Sequence, residues 1–530
     1  MTKAARCKVS VGCRGGCVSR LHDDNDAASG TAGEKRMTRS RFLPVFVLLL
    51  APALAAFGAP LEVAKDHQAS VVRVNATNQG YDFFHPWSKR APYSLRGLGA
   101  VLADGRVLVT GELVANSDYV ELEKAGSGEK IAADVEVVDY EANLALLKPA
   151  NDKFLDGVKP LDLQPAAVGD RLSVWQLEST GALLITSALL TTAEVSHYPI
   201  DGAYLTYRLT ASLQYRDGSF TIPVIKDGKL AGLMMRYDSR TQSLDAIPAA
   251  VIEHFLKDAA NGAKYLGFPR AGLLFAPMRD PQLRRYAGLA ESETRGVYVT
   301  EVQKDGPAGK GGLKVGDVIL EIGGKAVDQD GDYEDPQYGK ISIIHIISTA
   351  SYDGDALKLK VFRGGKETEL DMTLAHRSVD DYVIAPYTLD RAPQYFVLGG
   401  LVMQELSRQY LKEWGAEWMK KAPERFVYYD RYQNELFPAH DRKLVILSQV
   451  LPSATTVGYE MLSYLIVSKI NGVSIKSIAD VAKAVEKPLN GFHKIEFEQD
   501  PKVLYLDAGQ VSAGNDALMK SYGLPALNRL

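Results

Sequence analysis

Residues 61–245 are paced by short runs of Val, Leu, Ile and Tyr that turn signals interrupt, and this rhythm constrains the fold more than any other feature. Ser70 to Val74, Gly99 to Val109, Tyr119 to Glu123, Ile131 to Val138 and Leu144 to Leu147 read as strands. Asp104-Gly105, Asp217-Gly218 and Asp227-Gly228 supply turn or hairpin pairs. Repeated short strands of this kind pair into a barrel or a sandwich. The rhythm then changes. Pro248 is followed by Val251, Ile252, Phe255 and Leu256 with polar residues between, a helical period with proline near its first turn. Asn261-Gly262 ends it.

Two further units follow. Residues 264–375 contain a strand pattern at Val297 to Val302, then Gly306-Pro307-Ala308 and Leu313 to Ile319. Asp353-Gly354 and Arg363-Gly364-Gly365 bracket another strand, Leu357 to Val361. Residues 391–530 carry strand patterns at Val445 to Val450, Leu465 to Ile470 and Lys494 to Glu498, with Asn471-Gly472 as a turn. Ile478 to Val485 reads as a helix, and Ser407 to Met419 as a stretch that includes one. A chain of 530 residues divides into several cores.

The first residues belong to targeting. Arg39 and Arg41 precede the apolar run Phe42 to Ala56, and Ala53-Leu54-Ala55 is a small-x-small site, the layout of a secretory signal peptide. The run is short for a membrane helix, and a retained anchor is the alternative. Met37 as the true start would make residues 37–59 the signal peptide and 1–36 a leader of another kind; Met1 stays open. Cleavage near Ala55 or Ala59 would deliver the chain to the periplasm or the exterior. All three cysteines, Cys7, Cys13 and Cys17, lie in the leader, so the remainder has no disulfide, thiol nucleophile or thiolate metal site. The net charge of -4 gives no basic footprint for nucleic acid. No phosphate-cradling glycine motif supports a nucleotide or other cofactor. The acidic run Asp328 to Asp335 lacks the order of a calcium loop, so no metal is expected.

Taken in order, these stretches resemble the HtrA/Deg serine protease family, a trypsin-like domain followed by PDZ modules, and most of all its two-PDZ branch. Ala145-Leu146-Leu147, Pro248 to Phe268, Leu313 to Gly324 and Val445 to Asn471 carry the likeness, which extends from about residue 62 to 530. Val457-Gly458-Tyr459-Glu460 and Phe492 to Glu498 are similar to that branch's C-terminal domain. The resemblance implies a mainly β, multidomain chain. A trypsin-like double β-barrel is expected over 61–262, followed by two PDZ-like α/β domains. The first of these spans 264–376; the second, 391–530, carries an insertion and a C-terminal extension.

The family's catalytic residues do not carry over. The histidine base falls in Leu108 to Val114, at Glu112 if one residue is deleted and at Leu113 if none is; Glu112 fits the downstream sequence better. The orienting aspartate falls on Asn143, in Asn143-Leu144-Ala145-Leu146-Leu147. The nucleophile falls on Phe220, in Gly218-Ser219-Phe220-Thr221-Ile222-Pro223. Phenylalanine offers no nucleophile, and Thr221 and Ile222 replace residues that give the oxyanion loop its tight turn. The expectation is therefore a pseudoprotease, not an enzyme. The alternatives are a serine endopeptidase with an unorthodox site, in which Ser219 and His197 would be slipped-register candidates, and a purely structural oligomer.

The resemblance assigns peptide binding to the first PDZ unit. Tyr265-Leu266-Gly267-Phe268 resembles the loop whose N–H groups face a peptide's C-terminal carboxylate. The expected partners are peptides or protein C-termini, held by a non-catalytic scaffold, adaptor or chaperone-like factor in the cell envelope. A homo-oligomer is expected, with an active homologue as a further partner. Trp414, Trp418, Phe426, Tyr428 and Tyr429 crowd the Arg408 to His440 insertion and fit a subunit interface or a domain core equally well.

Overall fold

The computed structural model describes residues 70–124, 127–177, 182–213, 221–260, 265–290 and 292–530. The chain divides into Met1–Glu62 and Val63–Leu530, and every described residue belongs to the second unit. The leader, its expected cleavage sites, the three cysteines, Asp217-Gly218, Ser219 and Phe220 lie outside the described residues.

Two closed barrels open the fold. The first is built from β1 (Val71–Asn78), β2 (Tyr93–Val101), β3 (Val107–Val109), β4 (Ser117–Lys124), β5 (Lys130–Asp139) and β6 (Leu144–Pro149), in the order β1-β2-β3-β6-β5-β4. The second uses β7 (Arg171–Leu177), β8 (Leu183–His197), β9 (Ala203–Thr210), β10 (Ile222–Lys226), β11 (Lys229–Asp238) and β12 (Ser243–Pro248), in the order β10-β11-β12-β9-β8-β7. Closure leaves no open edge in either barrel. Strand alternation decides the cores: on β1, Val72, Val74 and Ala76 are buried, whereas Arg73, Asn75 and Thr77 are half-buried. The β10–β11 hairpin turns on Asp227 and Gly228, with φ of 49° and 78°. Positive φ at both positions matches the twist of paired strands, and Gly at the second removes the Cβ penalty.

Helix α1 (Gly111–Val114) follows β3, and α2 (Ala249–Ala259) leaves the second barrel behind Pro248. The next sheet has the order β13 (Leu273–Ala276), β14 (Val297–Val302), β15 (Val318–Ile322), β19 (Ala356–Arg363), β20 (Lys366–Thr373), with β16 (Lys325–Ala326) on β15. The acidic run forms half of a separate hairpin, β17 (Asp332–Asp335) and β18 (Gly339–Ser342). Helices α3 (Pro281–Tyr286), α4 (Pro307–Lys310) and α5 (Ile344–Ser348) complete this unit. Its core is continuous with that of the second barrel: Leu205, Tyr207 and Phe255 belong to the same apolar cluster as Phe268, Ile341, Ile346 and Val361.

The last unit is an eight-stranded sheet, β27-β26-β24-β23-β22-β21-β28 with β25 on β24. These strands are β21 (Tyr395–Leu398), β22 (Leu401–Glu405), β23 (Val445–Val450), β24 (Leu465–Ile470), β25 (Val473–Ser474), β26 (Phe492–Phe497), β27 (Val503–Asp507) and β28 (Asn528–Arg529). The expected helix in Ser407 to Met419 is broken into α6 (Arg408–Leu411), a 3-10 turn (Lys412–Trp414) and α7 (Trp418–Lys421), because Gly415 takes φ of 85°. Helices α8 (Glu424–Leu436), α9 (Ile478–Val485) and α10 (Ala508–Tyr522) follow.

The insertion packs inside its own chain. Phe426, Tyr410 and Leu411 are buried with Phe83, which lies in the β1–β2 loop, and Trp414, Trp418 and Tyr429 pack around them. Phe84 meets Tyr410 and Trp414 edge-on, at centroid distances of 5.8 and 5.0 Å. Gln404 donates to the Phe83 carbonyl at 3.1 Å, and Arg90 pairs with Glu413. These aromatics therefore close an intrachain core. Tyr428 is the exception, at 49% exposure.

Candidate active site and peptide groove

Glu112 stands on α1, immediately after β3 delivers Thr110 to the helix start. Asn143 precedes β6, which runs beside β3 with Val109 opposite Ala145. Asn143 adopts φ of 54°, a left-handed conformation that asparagine tolerates better than most residues. Its side chain closes a reciprocal pair. Asn143 Oδ1 accepts from the Glu112 N–H at 2.9 Å, and Asn143 Nδ2 donates to Glu112 Oε2 at 3.1 Å. Burial raises the Glu112 pKa above the ordinary carboxylate value; the Asn143 bond and the Arg236 charge act in the opposite direction.

Thr221, the first described residue after Phe220, is held at the start of α1. Thr221 is buried, and its hydroxyl lies 2.6 Å from that of Thr110 and accepts from the Thr110 N–H at 3.1 Å. The Leu98 N–H donates to the Thr221 carbonyl at 2.8 Å. Gly97 permits this approach: a Cβ there would sit 3.0 Å from both Thr221 Cβ and Leu113 Cδ2. Ile222 opens β10 opposite Met234. Leu113 is fully buried in the first barrel core, which leaves Glu112 as the α1 residue with a chemical group to offer. His197 ends β8 opposite Ala203 and is exposed.

The stretch Tyr265 to Phe268, expected to bind peptide, packs against the barrels and α2. Tyr265 donates to Asp139 at 2.5 Å, so it faces the first barrel. The N–H groups of Leu266 and Gly267 donate to one oxygen of Asp258 on α2, at 2.9 and 2.7 Å. Phe268 is fully buried against Tyr204 of the second barrel and His254 of α2. Thus the loop's donors already hold a carboxylate from the chain itself, and its apolar side chain lines no open pocket. The segment leading directly into the edge strand β13 is Pro269–Gly272, where Gly272 takes φ of 71°.

Arg270 ties this segment to the barrels. Its guanidinium meets Glu141 at 2.8 Å and Asp201 at 2.9 Å, and Asp201 in turn meets Arg408 of α6 at 3.4 Å. Glu141 is almost wholly buried, and its other carboxylate oxygen has no partner. Burial raises the Glu141 pKa, and Arg270 opposes that rise. Arg270→Ala is expected to destabilise the chain by about 2–3 kcal/mol, below the full range for a broken buried pair because Arg270 keeps partial solvent access. Urea unfolding of the two proteins measures this, and equal midpoints would refute it.

Known proteins agree with this architecture. Models of the PDZ domain match residues 286–374 and 384–528. Protease Do-like 2, chloroplastic, of Arabidopsis thaliana is 27% identical over 480 residues, covering 87% of this chain and 76% of the relative. Putative protease Do-like 3, mitochondrial, of the same plant is 26% identical over 463 residues, covering 86% and 79%. This chain is homologous to HtrA/Deg-type serine proteases with PDZ domains. Among solved structures, an HtrA-type protease AlgW with decapeptide is 18% identical with a TM-score of 0.44, covering 59% of this chain and 99% of that one.

The homologues correct one expectation outright. The chain was expected to be a pseudoprotease and not an enzyme, yet relatives that span most of its length are repeatedly named as proteases. Homology across the barrels and both PDZ units favours an enzyme. The relatives' printed names place them in chloroplasts and mitochondria, and no helix among the described residues is long and apolar enough to cross a membrane.

Proposed function

We propose that the chain is a peptide-binding serine endopeptidase of the HtrA/Deg type, exported or organellar, that works through an unorthodox site. The observation that carries this reading is the Glu112–Asn143 pair, with Glu112 on a helix whose N-cap Thr110 holds Thr221, two residues after Ser219 in the sequence. Desolvation raises the pKa of the half-buried Glu112 carboxyl, which makes it a stronger base than a fully exposed one. In this proposal Ser219 supplies the attacking Oγ. Glu112 accepts the hydroxyl proton as the bond to the scissile carbonyl forms, then returns it to the leaving amine. Asn143 holds Glu112 in place, acting as a positioning residue through its two hydrogen bonds. Thr221 anchors the chain that follows Ser219 to Thr110.

Peptide capture belongs to the same proposal. An extended substrate adds to the outer edge of β13, which ends the sheet, with its C-terminus towards Pro269–Gly272. Assembly into a homo-oligomer, typical of the homologous family, is part of this reading. The experiment is cleavage of unfolded casein by the purified exported chain, with a serine-directed covalent probe run in parallel. Turnover that purifies with the chain, together with probe labelling at Ser219, is expected. Absence of turnover from protein shown to be folded and assembled would sink the endopeptidase reading.

A further inference from the structure

His254 occupies an unusual position for an ionisable group. It sits on α2, is 2% exposed, and lies between two aromatic rings from the following unit. The Phe268 ring is stacked on it at a centroid distance of 4.1 Å and the Tyr352 ring at 4.0 Å. One nitrogen, Nε2, lies 2.9 Å from the Ser351 carbonyl, a geometry that makes it the N–H donor. The other, Nδ1, is buried without a hydrogen-bond partner. The neutral ring fills this slot; an imidazolium would bury a second N–H with nothing to accept it.

A second histidine supports the same face. His345 on α5 is buried, with Nδ1 2.7 Å from the Tyr333 hydroxyl and the Tyr338 ring edge-on at 5.6 Å. Tyr338 packs against Tyr207 of β9, and Ile343, Ile346 and Ile347 join the cluster shared with the second barrel. Both histidines thus lie where the barrel and residues 265–375 close on each other.

We propose that this face is an acid-released latch: neutral His254, with His345 beside it, holds residues 265–375 against the barrels, and protonation lets them separate. The groups facing His254 are Asp258 on its own helix, Asp139 from β5 and Asp355 from the unit it clasps, with Tyr352 across the ring. Glu253 and Lys257 pair with each other on the outer side of α2. Burial depresses the His254 pKa despite the three carboxylates, and burial also depresses that of His345 against Asp335. The closed face therefore binds fewer protons than the open one. Its stability is fully present above the ordinary imidazole value of about 6.5 and declines as pH falls below it. Opening would free the N–H groups of Leu266 and Gly267 from Asp258. None of this depends on whether the barrels cleave peptides.

The test is hydrogen-exchange protection across residues 265–275 and 343–352 of the full exported chain, at about pH 8 and about pH 5.5. Protection, corrected for the intrinsic rate, is expected to fall about tenfold or more in the native chain at the lower pH. His254→Phe keeps a flat ring in the slot and cannot titrate, so most of that fall should vanish. If this variant does not fold, NMR titration of the His254 imidazole in the native chain gives the second readout. Its midpoint should coincide with the loss of protection. Native protection that is equal at both pH values would overturn the latch, as would a His254→Phe protein that follows the native pH response, or ordinary titration of His254 with the face still closed.

Discussion

Glu112→Gln should lower turnover of an unfolded substrate by about 10²–10⁴-fold, the range expected when a positioned general base is removed. Glutamine keeps the shape and can still bond Asn143, so stability should change little. The loss should appear in kcat and not in KM, because Glu112 acts on the proton of the nucleophile and not on the bound chain. The native pH profile gives a second reading. Glu112 works only as a carboxylate, and burial raises its pKa. Turnover should therefore fall as pH drops through that raised value, above the ordinary glutamate value of about 4.3. An unchanged rate in Glu112→Gln would remove Glu112 from the chemistry.

Phe426→Ala should destabilise the last unit by about 3–5 kcal/mol. The ring is fully buried among Phe83, Tyr410, Leu411 and Leu444. Its loss opens a cavity under the insertion, and the β1–β2 loop loses part of the surface on which Phe83 and Phe84 rest. Limited proteolysis should then cut the 79–92 loop faster than in the native chain. Calorimetry should show the C-terminal unit melting ahead of the barrels. A single unshifted transition would place the aromatic cluster outside the energetics of the chain.

Much of the architecture was legible because its signals are local. Val297–Val302, Val445–Val450, Leu465–Ile470 and Ile478–Val485 form over the spans their patterns predict. Asn471-Gly472 turns between β24 and β25 with φ of 51° and 81°, as that dipeptide favours. The helix behind Pro248 also appears where its period places it. The misses are tertiary. Gly99 to Val109, with Asp104-Gly105 as its predicted turn, forms the end of β2 and β3, but the β2 strand begins earlier, at Tyr93. Helix α10 carries only Val511 and Leu518 as buried residues, too sparse a stripe to announce itself. The aromatic crowding at 408–440 was visible, but its partner, the loop of Phe83 and Phe84, lies more than three hundred residues away in sequence. In the candidate site, Glu112 and Asn143 were named from the chain alone, whereas their mutual hydrogen bonds needed the barrel to bring β3 and β6 together. Arg270, Glu141 and His254 carry no motif. Their significance comes from burial and from neighbours on other elements.

Residues 528–529 are tied to the β1–β2 loop, which lies hundreds of positions earlier in the sequence. Strand β28 adds to β21 through Asn528 and Arg529, and the Arg529 guanidinium donates to the Pro86 carbonyl at 3.0 Å while lying near the rings of Tyr81 and Tyr395. A ribosome releases the β1–β2 loop long before residues 528–529 emerge. The barrels can close while translation continues, since their strands are neighbours in the nascent chain. The loop of Phe83 to Trp87 cannot complete its contacts until Arg529 has emerged. A chain that stopped short of Asn528 would keep the strands of both barrels and the packing of Phe83 on Tyr410 and Leu411, but would lack the clasp of Arg529 on Pro86, Tyr81 and Tyr395.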